Sequence, residues 1–136
     1  MPRKHKKLRV SIVIRAYNEE KHLGHLLDAI RRQTLRKPEI ILVDSGSRDS
    51  TIAIARSHDA RILHIKPKNF TFGRSLNIGV AAARGEIVVI ASAHVLPMRS
   101  DWLANLAAPF QDPKVALTYG KQRGSKESRF SEAQHW

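Results

Sequence analysis

The segment IILVDSGSRDST, at positions 40–51, constrains the fold of this chain more than any other part of the sequence. Its first four residues are apolar and mostly β-branched, which predicts a strand buried on both faces. A polar turn follows at 44–47, and then Asp49, Ser50 and Thr51 offer side-chain oxygens to cap a helix. A buried strand that leads through a short turn into a helix is typical of parallel α/β folds.

The same strand–turn–helix unit recurs along the chain. We predict strands at 10–15, 40–44, 61–65, 87–91 and 115–119, and helices at 19–33, 50–58, 73–83 and 101–111. The strand at 61–65 is short and is predicted near an edge, whereas the wholly apolar strand at 87–91 is predicted to be central. The helix at 73–83 is expected to bury Leu76, Ile78 and Val80 or Ala81. This alternation predicts right-handed crossovers, a mostly parallel sheet and helices on both of its faces.

A chain of 136 residues corresponds to one domain, and the pattern assigns that domain to residues 10–120. Residues 1–9 form a basic tail, and residues 121–136 form a polar, basic segment that ends on Trp136. Phe130 and Trp136 in that segment would need an apolar surface to pack on. We therefore expect the segment to lead into a second half that this sequence does not contain. An apolar face left uncovered by that second half would favour self-association.

The net charge of +12 narrows the classes of partner. Several cations cluster in the first nine residues without an acidic residue among them: Arg3, Lys4, Lys6, Lys7 and Arg9. Such a cluster fits a solvated tail, or attraction to an anionic membrane leaflet worth about 1 kcal/mol per basic residue. Specific nucleic-acid binding is not expected, because the sequence has no nucleic-acid-binding motif and only 6% aromatic residues.

The sequence contains no cysteine, so it has neither a thiolate nucleophile nor a disulfide framework. No apolar run approaches the roughly 20 residues that span a bilayer. The basic amino terminus also lacks the apolar stretch of a signal peptide, because Arg15 soon interrupts the first strand. We therefore expect a cytoplasmic protein, with peripheral attachment to the inner face of the membrane as the alternative.

Two turn segments together resemble the nucleotide-sugar half of family 2 glycosyltransferases, which have the GT-A fold. The family patterns run roughly P-x-Y-N-E-E after the first strand and V-D-D-G-S-x-D-x-T after the second, and this chain reads RAYNEE and VDSGSRDST. Arg15 stands in the Pro position and Ser45 in the place of a second Asp. The resemblance implies transfer of a sugar from a nucleoside diphosphate sugar to an acceptor hydroxyl, in bacterial polysaccharide or glycolipid synthesis.

The resemblance also implies that the nucleotide is bound by the turn after the first strand and by the acid after the second. The corresponding residues are Arg15, Ala16, Tyr17, Glu19 and Asp44. Arg15 could pair with a phosphate or with Asp44. The alternative for Asp44 is a turn or capping residue, and Glu19 is equally typical of an acid at a helix start.

A third segment, NFTFGRSLNIGVAAARGE at 69–86, resembles the helix start that precedes the family's A-R-N-x-G pattern. Leu76 takes the Arg position, and Arg74 is predicted to supply the missing positive charge to a phosphate. Gly73 would allow a close approach of the backbone to the nucleotide. Phe70 and Phe72 are expected to pack in the core or loop, with base stacking as the lesser alternative.

The family's Asp-x-Asp element, which binds a divalent cation, falls within ASAHVLPMRSDWL at 91–103. Its two Asp positions are occupied here by Ser92 and His94. We predict His94 as the metal ligand, for Mn²⁺ or Mg²⁺, and imidazole suits Mn²⁺ better. An inert histidine at a strand end is the alternative. The catalytic base is unassigned and is expected beyond Trp136.

Two other functions remain open. A nucleotide-binding module, or a degenerate non-catalytic GT-A domain, is favoured by the missing Asp pair and the missing base. A different nucleotide-utilising enzyme, such as a nucleotidyltransferase, would need a Gly-rich phosphate loop after the first strand. Residues 15–18 read RAYN and contain no glycine, so this second alternative ranks last.

Overall fold

The computed structural model describes residues 8–120, which form a parallel four-stranded sheet flanked by helices. The strands are β1 (Val10–Ala16), β2 (Glu39–Asp44), β3 (Arg61–His64) and β4 (Ile87–Ser92). The helices are α1 (Leu23–Arg31), α2 (Thr51–Ser57), α3 (Phe72–Ala82) and α4 (Trp102–Ala107), and two 3₁₀ turns span Pro67–Asn69 and Ala108–Gln111. The strand order is β3-β2-β1-β4, and every neighbouring pair is parallel. The α/β prediction is therefore confirmed.

Alternate residues of the strands face two separate apolar layers. On one face, Ile12, Ile14 and Leu42 pack with leucines of α1 and with Leu103 of α4. On the other face, Val13 and Val43 belong to a smaller cluster that includes the end of α3. Helices therefore cover both faces, as predicted, because central parallel strands expose apolar side chains on each side.

Helix α3 lies close to the sheet at Gly79. A Cβ atom added there would overlap Cγ1 of Val13 and would lie 3.2 Å from Cγ2 of Val43. Only a residue without a side chain allows the helix to approach this closely. The contact sets the height of α3 above β1 and β2, and therefore the position of its amino-terminal turn.

Four sequence-based expectations about packing are wrong. Strand β4 forms an edge of the sheet within residues 8–120 rather than its centre, and Ile90 on it is 54% exposed. Residues 115–119 form no strand. Ile78 and Val80 of α3 are exposed, because Ser75 and Gly79 face the sheet instead. Helix α4 is shorter than expected, since Pro109 diverts the chain into a 3₁₀ turn.

The carboxylate of Glu39 connects several segments at the amino-terminal end of the sheet. Glu39 Oε1 accepts hydrogen bonds from Ser11 Oγ at 2.8 Å and from the Arg84 backbone N–H at 2.9 Å. Arg61 lies 3.7 Å from the other carboxylate oxygen. Burial alone would raise the pKa of Glu39, but these donors and charges outweigh it, so the pKa is lowered.

Several predicted segments lie outside the described residues. They are most of the basic tail and the whole of residues 121–136. Within residues 8–120, no helix combines the length and the apolar character needed to cross a bilayer.

Candidate functional site

The predicted nucleotide-binding turns meet at the carboxyl edge of the sheet. In the strand register Ala16 lies beside Asp44, and Arg15 lies beside Ser92. The segments that follow β1, β2 and β4 therefore leave the sheet side by side. In open α/β sheets this edge is where ligands bind. The geometry brings the residues predicted around Arg15, Asp44 and His94 to a single place.

The β1–α1 loop and the β2–α2 loop are joined by reciprocal hydrogen bonds. The Asn18 backbone N–H donates to Ser47 Oγ, and the Arg48 N–H donates to Asn18 Oδ1, each at 2.8 Å. Asn18 has a positive φ of 50°, which asparagine tolerates better than most residues. Asparagine at this position therefore serves both the backbone geometry and the contact between the loops.

The acidic residues of the two loops extend this connection. The Glu19 N–H donates to Thr51 Oγ1 at 2.8 Å, and the Glu20 N–H donates to Asp49 Oδ2 at 3.2 Å. Glu20 in turn accepts the Ser50 N–H at 3.0 Å. These cross-loop bonds hold residues 18–22 outside the helix, so α1 begins at Leu23 rather than at the predicted Glu19.

Asp49 lies one residue before the N-cap of α2, Ser50, whose own side chain makes no capping hydrogen bond. Asp49 Oδ1 accepts the Thr51 backbone N–H at 2.9 Å. Burial alone would raise the pKa of Asp49. Hydrogen bonds from Thr51 and from the Glu20 N–H outweigh this effect, so the pKa is lowered. Asp101, predicted to cap α4, lies at that position but pairs with Arg99 at 3.0 Å instead.

Asp44 combines a structural contact with an unused acceptor. The residue is 2% exposed, and its Oδ2 accepts the backbone N–H groups of Gly46 and Ser47, both at 3.0 Å. Its Oδ1 is buried and has no hydrogen-bond partner. Buried carboxylate oxygens almost always accept a hydrogen bond. An unpaired one at a ligand-binding edge is therefore a candidate acceptor for a hydrogen bond from a ligand.

Arg15 does not pair with Asp44. Its guanidinium lies over the ring of Phe72, 4.5 Å from the centroid, on the face of the sheet that α3 covers. Phe72 also contacts Phe70 edge-on and is 66% exposed, so of the two predicted alternatives it packs within the loop and not in the core. The sequence feature that could have indicated the contact between Arg15 and Phe72 is the position of this aromatic residue directly before Gly73 at the start of a helix.

The other predicted residues occupy different places along this edge. Ala16 is buried, and its carbonyl accepts the Ser45 N–H at 3.1 Å, whereas Tyr17 is 55% exposed. Gly73 has open space beside its backbone. Arg74 hydrogen-bonds the carbonyl oxygen of Asn69 at 3.2 Å and lines an open cavity together with residues of β3 and α3. Its predicted contact with a phosphate stays a prediction.

His94 lies close to Glu19, a contact that the sequence did not reveal. Its Nε2 is 3.1 Å from Glu19 Oε1, and its ring packs edge-on against His22 with 5.2 Å between centroids. Ser92 Oγ accepts the His94 N–H at 3.4 Å. Within residues 8–120 no three His, Cys, Asp or Glu side chains are grouped to hold a metal ion. The protein therefore offers two candidate ligands here, not a complete metal cage.

Comparison with known proteins agrees with this geometry. The family model for glycosyl transferase family 2 matches residues 11–136. The O-antigen chain rhamnosyltransferase RfbN of Salmonella typhimurium is 29% identical over 123 residues, which cover 89% of this chain and 39% of that protein. That relative is a sugar transferase by name, the class of enzyme that the turn motifs imply.

Two solved structures have the same fold. The mannosyltransferase PcManGT from Pyrobaculum calidifontis, in complex with GDP-Man and Mn²⁺, superposes with a TM-score of 0.71 and 30% identity, over 81% of this chain and 34% of that one. Glucosyl-3-phosphoglycerate synthase from Mycobacterium tuberculosis, in a complex that contains Mn²⁺ and UDP, superposes with a TM-score of 0.64 and 26% identity. This match covers 77% of the present chain and 40% of the synthase chain.

The chain thus spans less than half the length of these relatives. Both structural neighbours contain Mn²⁺, one together with GDP-Man and the other together with UDP. The family model covers almost the whole of the present sequence, and the fold agrees with it. This chain belongs to glycosyl transferase family 2.

Proposed function

We propose that this chain binds the nucleoside diphosphate of a sugar donor at the carboxyl edge of its sheet. The protein would use that site to transfer the sugar to an acceptor hydroxyl, in bacterial polysaccharide or glycolipid synthesis. The free Oδ1 atom of Asp44 is the observation that carries the proposal. Membership of glycosyl transferase family 2 supports the class of donor.

Asp44 is suited to hold a nucleobase. One carboxylate oxygen is fixed by two backbone N–H groups, so the other cannot rotate away from the edge of the sheet. A buried acceptor without a donor costs about 1–3 kcal/mol. A ring N–H of a base would remove that cost on binding. The affinity for a base with a free ring N–H would therefore depend on this single atom.

The surrounding residues would position the rest of the nucleotide. The hydrogen bonds between the β1–α1 and β2–α2 loops fix the backbone that carries Ala16, Tyr17 and Asp44, which lowers the entropic cost of ordering these residues on binding. Arg15 carries a positive charge at the same edge, held by the Phe72 ring. We assign Arg15 to a phosphate oxygen. Gly73 leaves room for the ligand beside the α3 backbone.

Within residues 8–120, His94 is the predicted residue that would hold a divalent cation near the diphosphate. When bound, such a cation neutralises negative charge on the departing diphosphate. The acceptor-binding side and the general base would belong to the part of such enzymes that this sequence does not span. A nucleotide-binding module without catalytic activity remains the second candidate, because Ser92 and His94 replace the family's Asp pair.

The test is calorimetric titration of the chain with UDP, GDP and dTDP, using Asp44→Asn as the decisive variant. The amide oxygen can still accept from Gly46 and Ser47, but an NH₂ group then replaces the free acceptor. We expect at least about 10-fold weaker binding of the preferred nucleotide, the effect of losing one charged hydrogen bond. The midpoint of urea unfolding should change little.

Asp112→Asn is the matched control, because Asp112 also accepts a backbone N–H in a turn, from Lys114 at 2.9 Å. It should leave nucleotide affinity unchanged. Equal affinity of wild type and Asp44→Asn would remove Asp44 from the site. Failure of all three nucleotides to bind the wild type would refute the proposed function itself.

Two further properties belong to the same proposal. We propose that the protein acts in the cytoplasm, where the basic residues of its amino-terminal tail attract it to the inner face of an anionic membrane. We also propose self-association through the apolar side chains near β4, of which Ile90 is 54% exposed. Specific nucleic-acid binding forms no part of the proposal.

A further inference from the structure

We propose that Glu19 and His94 act together as the protein ligands of a divalent cation. Glu19 would supply the carboxylate that the turn after β4 lacks, where the sequence reads Ser92-Ala93-His94. The carboxylate would thus come from the β1–α1 loop and the imidazole from the segment after β4. This inference rests on the proposed function, because the donor diphosphate would complete the coordination.

The spacing of the two side chains fits a shared ion. Two ligands at about 2.1 Å from an octahedral cation, at right angles to each other, lie about 3.0 Å apart. Glu19 Oε1 and His94 Nε2 are 3.1 Å apart. A divalent ion could lie between these two atoms and bind both of them. The pair needs no change of separation to accept the ion.

Both ligands are held where the diphosphate is expected. The Glu19 backbone is fixed by its bond to Thr51 Oγ1, and its side chain is only 16% exposed. The edge-on contact with His22 orients the ring of His94. Ser92 uses its hydroxyl to fasten the turn that carries His94. Ser92 therefore acts in the turn, and the missing carboxylate has to come from another loop.

Two protein ligands are enough for this type of site. Mg²⁺ in phosphate-transfer sites is usually bound by one or two carboxylates together with substrate phosphates and waters. Because residues 8–120 group no third such side chain here, the diphosphate and waters would have to supply the remaining ligands. A nitrogen ligand shifts the preference toward Mn²⁺, because imidazole suits transition metals better than Mg²⁺.

A second acid–imidazole pair provides the control. Asp28 Oδ1 lies 2.7 Å from His58 Nε2, between helices α1 and α2. This pair has the same chemistry but does not belong to the loops at the carboxyl edge. We therefore expect it to bind no cation together with a nucleotide.

The first experiment uses Mn²⁺ alone and does not depend on the nucleotide. Paramagnetic broadening of the histidine ring protons is followed by NMR as Mn²⁺ is added. His94 should broaden at lower Mn²⁺ concentration than His58. Glu19→Gln should raise the concentration required at least about 10-fold, since even the loss of an outer-shell partner weakens metal binding by that factor. Asp28→Asn should leave the broadening of His94 unchanged.

The second experiment measures free Mn²⁺ by electron paramagnetic resonance, with and without the nucleoside diphosphate that binds in calorimetry. The nucleotide should tighten Mn²⁺ uptake in the wild type, and neither Glu19→Gln nor His94→Ala should show this gain. His94→Asp should restore uptake and shift preference toward Mg²⁺, which a purely structural histidine would not do.

Several outcomes would overturn the inference. Equal Mn²⁺ uptake by wild type and Glu19→Gln would exclude Glu19 as a ligand. Broadening of His58 and His94 at the same Mn²⁺ concentration would mean non-specific binding only. Nucleotide binding that depends on Asp44 but is unaffected by Mn²⁺ would refute the metal site and leave the proposed function intact. If the wild type bound neither a nucleotide nor Mn²⁺, the proposed function and the metal site would both be refuted.

Discussion

Replacing Gly79 by alanine tests whether the close approach of α3 to the sheet holds the fold together. The added methyl would overlap Val13 Cγ1, and Val13 cannot move aside because it is fully buried between β2 and β4. Overpacking of this kind costs about 1–3 kcal/mol. Alanine recovers up to about 1 kcal/mol of helix propensity. We expect a net loss of about 1–2 kcal/mol in the free energy of unfolding.

Urea unfolding followed by circular dichroism measures this loss. With an m-value of about 1–2 kcal/mol/M, the midpoint should fall by about 1 M. Gly24→Ala in α1 is the matched control, because its added Cβ would make only an ordinary 3.8 Å contact with Ile54. That variant should be neutral or more stable than wild type, since alanine favours the helix.

A double mutant separates overlap from other causes. If the overlap with Val13 destabilises Gly79→Ala, then adding Val13→Ala should cost less in that variant than in the wild type. The coupling should be at least about 0.5 kcal/mol, as for other residues in direct contact. A Gly79→Ala protein as stable as wild type, or mutations that simply add, would refute the packing argument.

The remaining predictions concern charge, pH and association. Glu39→Gln should lower the urea midpoint above pH 4.5, the ordinary pKa, and the difference should shrink as pH falls further, because the lowered pKa of folded Glu39 adds stability only while the group is ionised. A pH series of unfolding curves checks this; a difference that grows toward low pH would contradict it. Ile90→Lys should reduce self-association measured by light scattering, whereas Lys114→Ala, on an exposed turn, should not; a wild type that stays monomeric would contradict the association proposal.

The central strands were predictable because their residues are apolar on both faces. Buried strands leave a continuous apolar run, and 40–44 became part of β2 with its boundary shifted by one residue. The run at 87–91 looks the same, yet Ile90 is exposed and β4 is an edge among residues 8–120. An apolar run predicts that a strand is buried, but it does not identify the helix, strand or partner that buries it.

The start of α1 and the partner of His94 were not predictable, because both depend on residues distant in sequence. Glu19 reads as a helix-start acid, but bonds to Thr51 and neighbouring residues keep it in a loop. The sequence shows Glu19 and His94 as separate candidates, 75 positions apart. Only the parallel pairing of β1 with β4 brings them within hydrogen-bonding distance. Their roles in binding remain predictions.

The contacts at the carboxyl edge divide the candidate site into two parts. The loops after β1 and β2 share five bonds between backbone N–H groups and side chains, with distances of 2.8, 2.8, 2.8, 3.0 and 3.2 Å. The segment after β4 meets them through the exposed His94 side chain, at Glu19 and at the ring of His22. A nucleobase at Asp44 would therefore meet the joined loops, whereas the cation would bind where Glu19 meets His94 of the β4 segment. Affinity for the base should consequently survive changes at His94, and metal dependence should not.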